Sequence, residues 1–169
     1  MYGTAESLEE ENKFDYIVSF GVLHHIVDPI PAVSRMHNAL KPKGKCIIWL
    51  YGAEGNKLYL SIFNPLRKIT TRLSSKMLLK ISRVLISGVN IYIGLCSFLP
   101  LPMRDYMQKH LRKLNPEQRI LTIYDQLNPT YSKYYTKEQA YDLLANHGFV
   151  NVECYHRHGY SWTVIGEKT

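Results

Sequence analysis

Two short, nearly continuous apolar segments, Phe14–Phe20 and residues 46–51, constrain the fold of this chain more than any other feature. Runs of this length, rich in β-branched and aromatic residues, are typical of strands that a parallel sheet buries on both faces. Between them, Asp28 and Pro29 form a helix-start signal, and apolar residues then recur at helical spacing. Strand, helix and strand in this order predict a βαβ unit.

The last part of the chain predicts one helix and two more strands. Thr136 and Gln139 fit a capping box, which indicates a helix start, and Gly148 fits the position just after a helix end. Strands are predicted over 149–155 and 161–165, joined by a turn too short for a parallel connection. The chain is therefore predicted to be α/β, with a mostly parallel sheet of about four strands whose last strand is antiparallel.

The positive charge is concentrated in the middle of the chain. Residues 57–113 hold eleven Lys and Arg side chains and a single acid, Asp105, whereas the remaining residues carry a small negative charge. This shift in composition divides the chain into three predicted parts. They are a first α/β segment (1–56), a basic and apolar α-helical insertion (57–119), and a final helix–strand–strand segment (120–169).

The insertion combines cations with apolar residues. A helix with a cationic face is predicted over 66–83, and residues 84–103 carry no charge. Twenty uncharged residues could cross a membrane, but interspersed polar residues and two prolines favour a buried or membrane-facing helical lid. The cationic face suits an anionic membrane surface, a nucleic acid or simple solvation, and the interleaved apolar residues favour a lid or a membrane surface over a nucleic acid.

The cysteines and the N-terminus bear on location. The three cysteines are widely spaced without a CxxC pair, which indicates reduced thiols in the cytosol. The first residues lack the basic start and apolar run of a signal peptide. We expect a cytoplasmic protein, with peripheral membrane attachment as the alternative. No metal site is expected, since Cys154, His156 and His158 lack a fourth ligand at a known spacing.

The first strand ends in a loop whose side chains could bind a ligand or transfer a proton. Open parallel sheets bind ligands outside the carboxyl ends of their strands, and His24 and His25 lie just after that end. A histidine there can donate or accept a proton near neutral pH. The two side chains could equally do no more than cap the loop between strand and helix, and their spacing favours neither interpretation.

A second candidate group lies before the capping box. Asp125 could accept a proton from a hydroxyl group, and Tyr131, Tyr134 and Tyr135 could shape an acceptor pocket. An ordered turn with packed tyrosines is the simpler interpretation, and turn statistics favour it.

Five short motifs resemble, in order and spacing, the half of class I S-adenosylmethionine-dependent methyltransferases that follows their cofactor loop. The similarity covers residues 3–56 and 120–168. The motifs are Ala5-Glu6, Phe14-Asp15, Val22-Leu23-His24-His25, Asp28-Pro29 and Leu40-Lys41-Pro42-Lys43-Gly44. The resemblance implies a partial Rossmann-like fold and methyl transfer from S-adenosylmethionine to an unidentified small-molecule, lipid or sugar acceptor.

The resemblance also implies roles for individual residues. His24 and His25 match the loop beside the transferred methyl group, and His25 and Asp125 are the candidates for a catalytic base. Lys43 replaces the first glycine of the family's turn, which is tolerable where the backbone does not require a positive φ. The residues matching the cofactor site are Thr4, Ala5 and Glu6 beside the adenine, and Ser19, Phe20, Gly21 and His24 beside the methionine portion.

The family's glycine-rich loop and the acidic residue that holds the ribose have no match in this sequence, since Gly52 and Gly55 fall elsewhere. The cofactor site is therefore expected to be half present, and the isolated chain inactive. Strand Phe14–Phe20 would then form an exposed apolar sheet edge that favours pairing with another strand. The alternative function is a non-catalytic interaction or membrane-surface module that uses the basic amphipathic insertion.

Overall fold

The structure is a computed structural model that describes residues 8–129 and 131–169. These residues form two compact units, a sheet unit (8–60 with 131–169) and a helical unit (61–129). The elements are, in order, β1 (Phe14–Phe20), a 3₁₀ turn (Leu23–His25), α1 (Ile30–Ala39), β2 (Leu40–Tyr51), α2 (Lys57–Thr70), α3 (Ser75–Phe98), α4 (Arg104–Lys109), a second 3₁₀ turn (Leu111–Lys113), α5 (Pro116–Leu127), α6 (Lys137–Ala145), β3 (Phe149–Arg157) and β4 (Ser161–Lys168).

The sheet has the strand order β1-β2-β4-β3. β1 pairs with β2 in parallel, with Ile17 opposite Cys46. β4 lies between β2 and β3 and is antiparallel to both. Three strands therefore run in one direction and the last strand runs in the other. The predicted α/β class and the antiparallel last strand are confirmed.

The core of the sheet unit lies on one face of the sheet. Helices α1 and α6 cover this face with apolar side chains such as Val33 and Leu144, which are fully buried. The capping box predicted at the start of α6 is present, with Thr136 and Gln139 exchanging hydrogen bonds. The strands contribute alternate residues to the core, including Ile48 and Val164.

The opposite face of the sheet carries an open groove with a volume of about 590 Å³. Val18, Phe20, Trp49 and Ile165 are among the residues that line it. Within the described residues of the sheet unit, α1 and α6 contribute no side chain to this lining. The side chains of Val18 and Phe20 remain mostly exposed, so β1 presents apolar groups on this face.

The turn predicted at residues 41–44 is a bulge inside β2. Phe14 pairs with Leu40 and Tyr16 pairs with Lys45, so the longer stretch of β2 bends outwards between these two pairs. Lys43 has a φ of +63°, which is a left-handed conformation. The condition under which lysine is easily tolerated here, a backbone without a positive φ, is therefore not met.

In the helical unit, the single helix predicted over 66–83 is two helices. α2 ends at Thr70, and α3 begins at Ser75 after Ser74, whose hydroxyl accepts the N–H of Met77. This side-chain cap satisfies a backbone donor at a new helix start, which explains the break. The Arg67 side chain then donates to the carbonyl of Gln126 at 2.9 Å and so ties α2 to the end of α5.

Candidate functional site

The candidate site lies where β1 and β2 end, which is where ligands of open α/β sheets bind. β1 ends at Phe20, whose ring lies nearly parallel to that of Trp49, with 6.5 Å between centroids. Gly21 follows with a φ of +74°, and the space where a Cβ would lie is open to 4 Å. The backbone turns sharply here and stays accessible to a ligand, because glycine adopts this conformation without strain.

His24 is fully buried under this turn. Its ring lies 3.9 Å from the ring of Tyr51 and 5.8 Å from that of Trp49. Within the described part of the chain, neither ring nitrogen has a hydrogen-bond partner. Burial, together with the neighbouring His25, lowers the pKa of His24 to about 3. His24 is therefore a neutral, aromatic component of the site at physiological pH and a poor proton acceptor.

His25 has the opposite character. Its side chain is exposed, and Nδ1 lies 2.9 Å from the backbone carbonyl oxygen of Tyr131. Because a carbonyl can only accept, Nδ1 carries the proton in this hydrogen bond. In the neutral ring, the lone pair is then on Nε2. His25 is positioned to accept a proton through Nε2.

Residues 131–135 hold the two strand ends together. The N–H of Lys133 donates to the carbonyl of His24 at 2.9 Å, and the N–H of Tyr135 donates to the carbonyl of Tyr51 at 2.8 Å. The carbonyl of Tyr135 accepts in return from Ala53. This segment therefore fixes the position of the histidine turn relative to the end of β2.

Tyrosine rings surround the histidines. The Tyr51 ring stacks on Tyr134 at 5.2 Å, and Tyr59 lies 6.2 Å from Tyr134. Tyr135 is almost fully buried, and burial, reinforced by nearby Tyr131, raises the pKa of its hydroxyl to about 12. The tyrosines near the capping box therefore pack beside the histidine turn, and their rings make this region both apolar and capable of hydrogen bonding.

Glu54 anchors the loop that follows β2. Its Oε1 accepts the backbone N–H of Lys137 at 2.9 Å, and its Oε2 accepts the indole N–H of Trp162 at 3.0 Å. Burial opposes the charge on this carboxylate, but the hydrogen bonds from the backbone and from Trp162 outweigh it and lower the pKa of Glu54. The negative charge of Glu54 is therefore retained at neutral pH.

The other predicted site residues lie elsewhere. Asp125 is an exposed residue of α5 in the helical unit, whereas His25 belongs to the sheet unit. Thr4, Ala5 and Glu6 lie outside the described residues. Among residues 8–129 and 131–169, no group of three or more His, Cys, Asp or Glu side chains could hold a metal ion.

Tyr51 and Glu54 are site residues that the sequence analysis missed. Both follow the carboxyl end of the second predicted strand, where the same positional rule that selected the histidines applies. Their partners, Tyr134 and Trp162, are more than 80 residues away in the sequence. No local pattern could have identified those contacts.

Comparison with known proteins places this geometry in a family. A family profile described as "Methyltransferase domain" matches residues 3–154, which is most of the chain. Phosphoethanolamine N-methyltransferase 2 of Caenorhabditis elegans is 46% identical over 43 residues, which are 25% of this chain and 10% of that protein. The tRNA U34 carboxymethyltransferase of Pseudoalteromonas atlantica is 36% identical over 52 residues, which are 31% of this chain and 16% of that protein.

Solved structures show the same fold at low sequence identity. PKMT2 from Rickettsia typhi superposes with a TM-score of 0.57 and 14% identity, covering 96% of this chain and 37% of that protein. The S-adenosylmethionine-dependent methyltransferase SibL, in its apo form, superposes with a TM-score of 0.51 and 9% identity, covering 99% and 35%. This chain thus spans well under half the length of either structure, and only a small fraction of the curated relatives.

Proposed function

Because this chain belongs to the methyltransferase domain family, we propose that it functions in methyl transfer from S-adenosylmethionine. The observation that carries this proposal is the site at the ends of β1 and β2. There, Gly21 presents an open backbone turn, and His25 in the same loop has Nε2 as the unprotonated nitrogen of its neutral ring. The proposed acceptor is a small molecule, a lipid or a sugar.

The residues at the end of β1 fit one part of the cofactor. Ser19, Phe20 and Gly21 offer backbone groups and an aromatic ring at the strand end, and His24 is a neutral, buried ring in the turn that follows. Thr4, Ala5 and Glu6 are the proposed contacts to the adenine. When bound, the cofactor supplies an electrophilic methyl group on a positively charged sulfur. A neutral His24 avoids placing a second positive charge beside that sulfur.

His25 is the proposed base for the acceptor. The hydrogen bond from Nδ1 to Tyr131 fixes the ring and leaves Nε2 as the proton acceptor for a hydroxyl or ammonium group. The rings of Tyr51 and Tyr134 would flank such an acceptor and orient it towards the methyl group, which is the main contribution of a protein to this reaction. Asp125 remains the second candidate for the base.

The names of the two curated relatives point to different acceptors, one of them a small amine and the other a tRNA. These names therefore favour no single acceptor for this chain. The partly exposed ring of Tyr51 beside His25 favours a compact acceptor with an apolar part. We retain the small-molecule, lipid or sugar classes for that reason.

We further propose that this chain alone binds the cofactor weakly and does not methylate. The sequence contains no glycine-rich loop between a strand and a helix, and such loops carry most of the phosphate or ribose contacts in dinucleotide-like sites. The contacts proposed above cover the adenine edge and the methionine portion alone. The site would then need a second segment of protein to reach full affinity.

Titration with S-adenosylhomocysteine, followed by two-dimensional NMR of the labelled chain, tests these proposals. We expect weak, saturable shifts at Ser19, Phe20 and Gly21, with no comparable shifts on α5. The Gly21→Val variant, which places a β-branched side chain at a positive φ, should lose the shifts. Gly88→Val in α3, where an added Cβ meets nothing within 4 Å, should keep them. Shifts that are absent, or that lie elsewhere, would contradict the methyltransferase site. Micromolar affinity for S-adenosylhomocysteine would contradict only the proposal that the cofactor site is incomplete.

A further inference from the structure

The outward face of α3 carries a continuous apolar stripe. Met77, Val84, Ile91 and Phe98 follow one another at intervals of seven residues, so they lie along one side of the helix. Their side chains are 52%, 75%, 66% and 88% exposed, respectively. From Met77 to Phe98 the stripe is about 32 Å long, at 1.5 Å per residue. Isolated exposed apolar residues are ordinary, but a stripe of this length indicates an interaction surface.

The opposite side of α3 already has its packing partners. Leu78, Ser82, Ile93 and Cys96 are the buried residues of this helix and face the remainder of the helical unit. Arg104 and Gln108 of α4 donate to the carbonyls of Cys96 and Ile93, which satisfies the last turns of α3. The unit is therefore held together without the outward stripe, which remains available.

Unpaired cations lie beside the start of this stripe. Lys76, Lys80 and Arg83 belong to the first part of α3, and Lys68 and Arg72 precede it. All five side chains are exposed, and none has an ion-pair or hydrogen-bond partner within residues 8–129 and 131–169. In contrast, Arg104, Arg112 and Arg119 make hydrogen bonds inside the unit. The cations next to the apolar stripe are therefore not used to hold the unit together.

We propose that the helical unit docks on an anionic lipid bilayer through this face of α3. The apolar stripe would enter the boundary between headgroups and acyl chains, while the five cations contact acidic headgroups. Both features are needed for a helix that lies in the membrane interface, since apolar burial and attraction to anionic lipids add together. The unit contains eleven Lys and Arg residues and only three acidic residues, so its net positive charge complements an anionic surface.

An in-plane orientation explains the structure better than a spanning one. α3 is long and apolar enough to cross a membrane, and only 17% of its most apolar window is buried. However, its other side packs against α5, which carries Glu117, Arg119 and Asp125. A spanning helix would draw these charges towards the hydrocarbon, which is costly. A helix in the interface leaves them in water.

Other partners fit this face less well. A nucleic acid would use the cations but would leave the apolar stripe in water, particularly at its uncharged end near Phe98. A second copy of the chain would bury the stripe but would bring like charges together at Lys76, Lys80 and Arg83. A bilayer that contains acidic lipid can bury the apolar stripe and bind the cations at the same time.

Flotation of the full chain with vesicles tests the proposal. We expect binding to phosphatidylcholine vesicles that contain about a quarter phosphatidylserine, weaker binding at high salt, and little binding to phosphatidylcholine alone. Combined Val84→Gln and Ile91→Gln substitutions should lower the partition coefficient roughly tenfold. Combined Lys76→Glu, Lys80→Glu and Arg83→Glu substitutions should lower it by more than roughly tenfold.

Matched controls separate this face from general effects. Val27 in the sheet unit is 75% exposed, as Val84 is, so Val27→Gln should bind as the unmodified chain does. Reversing the exposed cations Arg35, Lys57 and Lys137 changes the net charge equally and should also have little effect. Equal loss in control and test variants, or no binding by the unmodified chain, would overturn the proposal.

A second measurement does not depend on the stability of those variants. The conservative Phe98→Trp substitution places an indole on the most exposed position of the stripe. Its fluorescence should be quenched best by lipids brominated near the headgroup, and alkaline carbonate should release the protein from vesicles. If lipids brominated deep in the acyl chains quenched the fluorescence best, or if carbonate did not release the protein, α3 would span the bilayer and the docking proposal would be wrong. RNA binding without vesicle binding would overturn lipid docking.

Discussion

The indole N–H of Trp162 donates to Oε2 of Glu54 at 3.0 Å, and Oε1 of the same carboxylate accepts the N–H of Lys137. One side chain in the loop after β2 thereby holds both β4 and the start of α6. Trp162 is itself part of the core, so the contact couples the rim of the site to the packed face of the sheet. The position of the loop depends on this carboxylate.

Glu54→Gln should therefore destabilise the sheet unit. The amide keeps the shape of the side chain, but one of its two ends becomes a donor that faces the N–H of Lys137 or of Trp162. We expect a loss of about 1 kcal/mol in the free energy of unfolding, measured with urea. Glu11→Gln, at an exposed position outside helices and strands, is the control and should change the free energy of unfolding little. Equal effects in the two variants would show that the hydrogen bonds of Glu54 contribute nothing.

The burial of His24 should make the free energy of unfolding depend on pH. Its pKa is about 3 in the folded chain, against 6.5 ordinarily. Below about pH 6.5 the unfolded chain therefore takes up a proton that the folded chain does not, so stability falls as the pH decreases towards about 3. This one group contributes a slope of at most about 1.4 kcal/mol per pH unit.

His24→Phe should flatten that part of the profile. The free energy of unfolding, measured between pH 7 and pH 4, should fall less steeply in the variant than in the unmodified chain. Val27→Phe, which adds a ring at an exposed loop position and removes no titratable group, should leave the slope unchanged. Parallel profiles for His24→Phe and the unmodified chain would show that His24 is protonated, or accessible, in the folded state.

Local patterns predicted the sheet unit well. The apolar runs of β1 and β2, the capping box at Thr136 and the tight turn before β4 each determine one element through contacts between near neighbours. The turn is confirmed: three residues, 158–160, join β3 to β4, and His158 and Gly159 have the positive φ values of a tight hairpin. The antiparallel last strand followed from the length of that turn alone.

The remaining features depend on contacts between residues distant in sequence. Whether His24 or His25 is the buried ring depends on the rotation of a 3₁₀ turn and on the Tyr51 and Trp49 rings above it. The hydrogen bond between His25 and Tyr131 joins residues 106 positions apart. The break between α2 and α3 did have a local signal, the Ser74 cap, but the continuous helical spacing on either side obscured it.

The tautomer of His25 can be measured directly. Nδ1 lies next to a carbonyl, so the neutral ring should carry its proton on Nδ1. His37 provides the contrast, since its Nε2 lies 3.2 Å from the carbonyl of Gly148 and should carry the proton there. Long-range ¹⁵N–¹H NMR spectra of the rings should therefore show opposite patterns for these two histidines. A proton on Nε2 of His25 in the neutral ring would remove that nitrogen as the proton acceptor.

The bulge in β2 contains two neighbouring positions with opposite requirements. Lys43 adopts a φ of +63°, which costs a side chain with a Cβ about 1 kcal/mol relative to glycine. Lys43→Gly should raise the free energy of unfolding by up to that amount. Gly44→Ala should lower it by about 2 kcal/mol, because the added Cβ would lie 2.8 Å from the carbonyl oxygen of Lys41.

Lys45→Gly is the control for the bulge, because Lys45 lies in the same strand, is exposed and has no positive φ. Glycine there should destabilise by about 0.5–1 kcal/mol through the entropy of the unfolded chain. Thermal and urea unfolding of the three variants give the comparison. If Lys43→Gly destabilised the chain as Lys45→Gly does, the left-handed conformation at Lys43 would be excluded.

β1 lies at the edge of the described sheet and carries Tyr16, Val18 and Phe20 as mostly exposed side chains. An edge strand with free backbone groups and an apolar face favours pairing with another strand. We expect the chain to associate as its concentration rises, measured by sedimentation velocity. Val18→Lys should suppress this association, because a charge at the centre of an edge strand opposes pairing. Val27→Lys adds the same charge at a more exposed loop position and should suppress the association much less. A chain that stays monomeric at all concentrations, or equal effects of the two variants, would exclude association through β1.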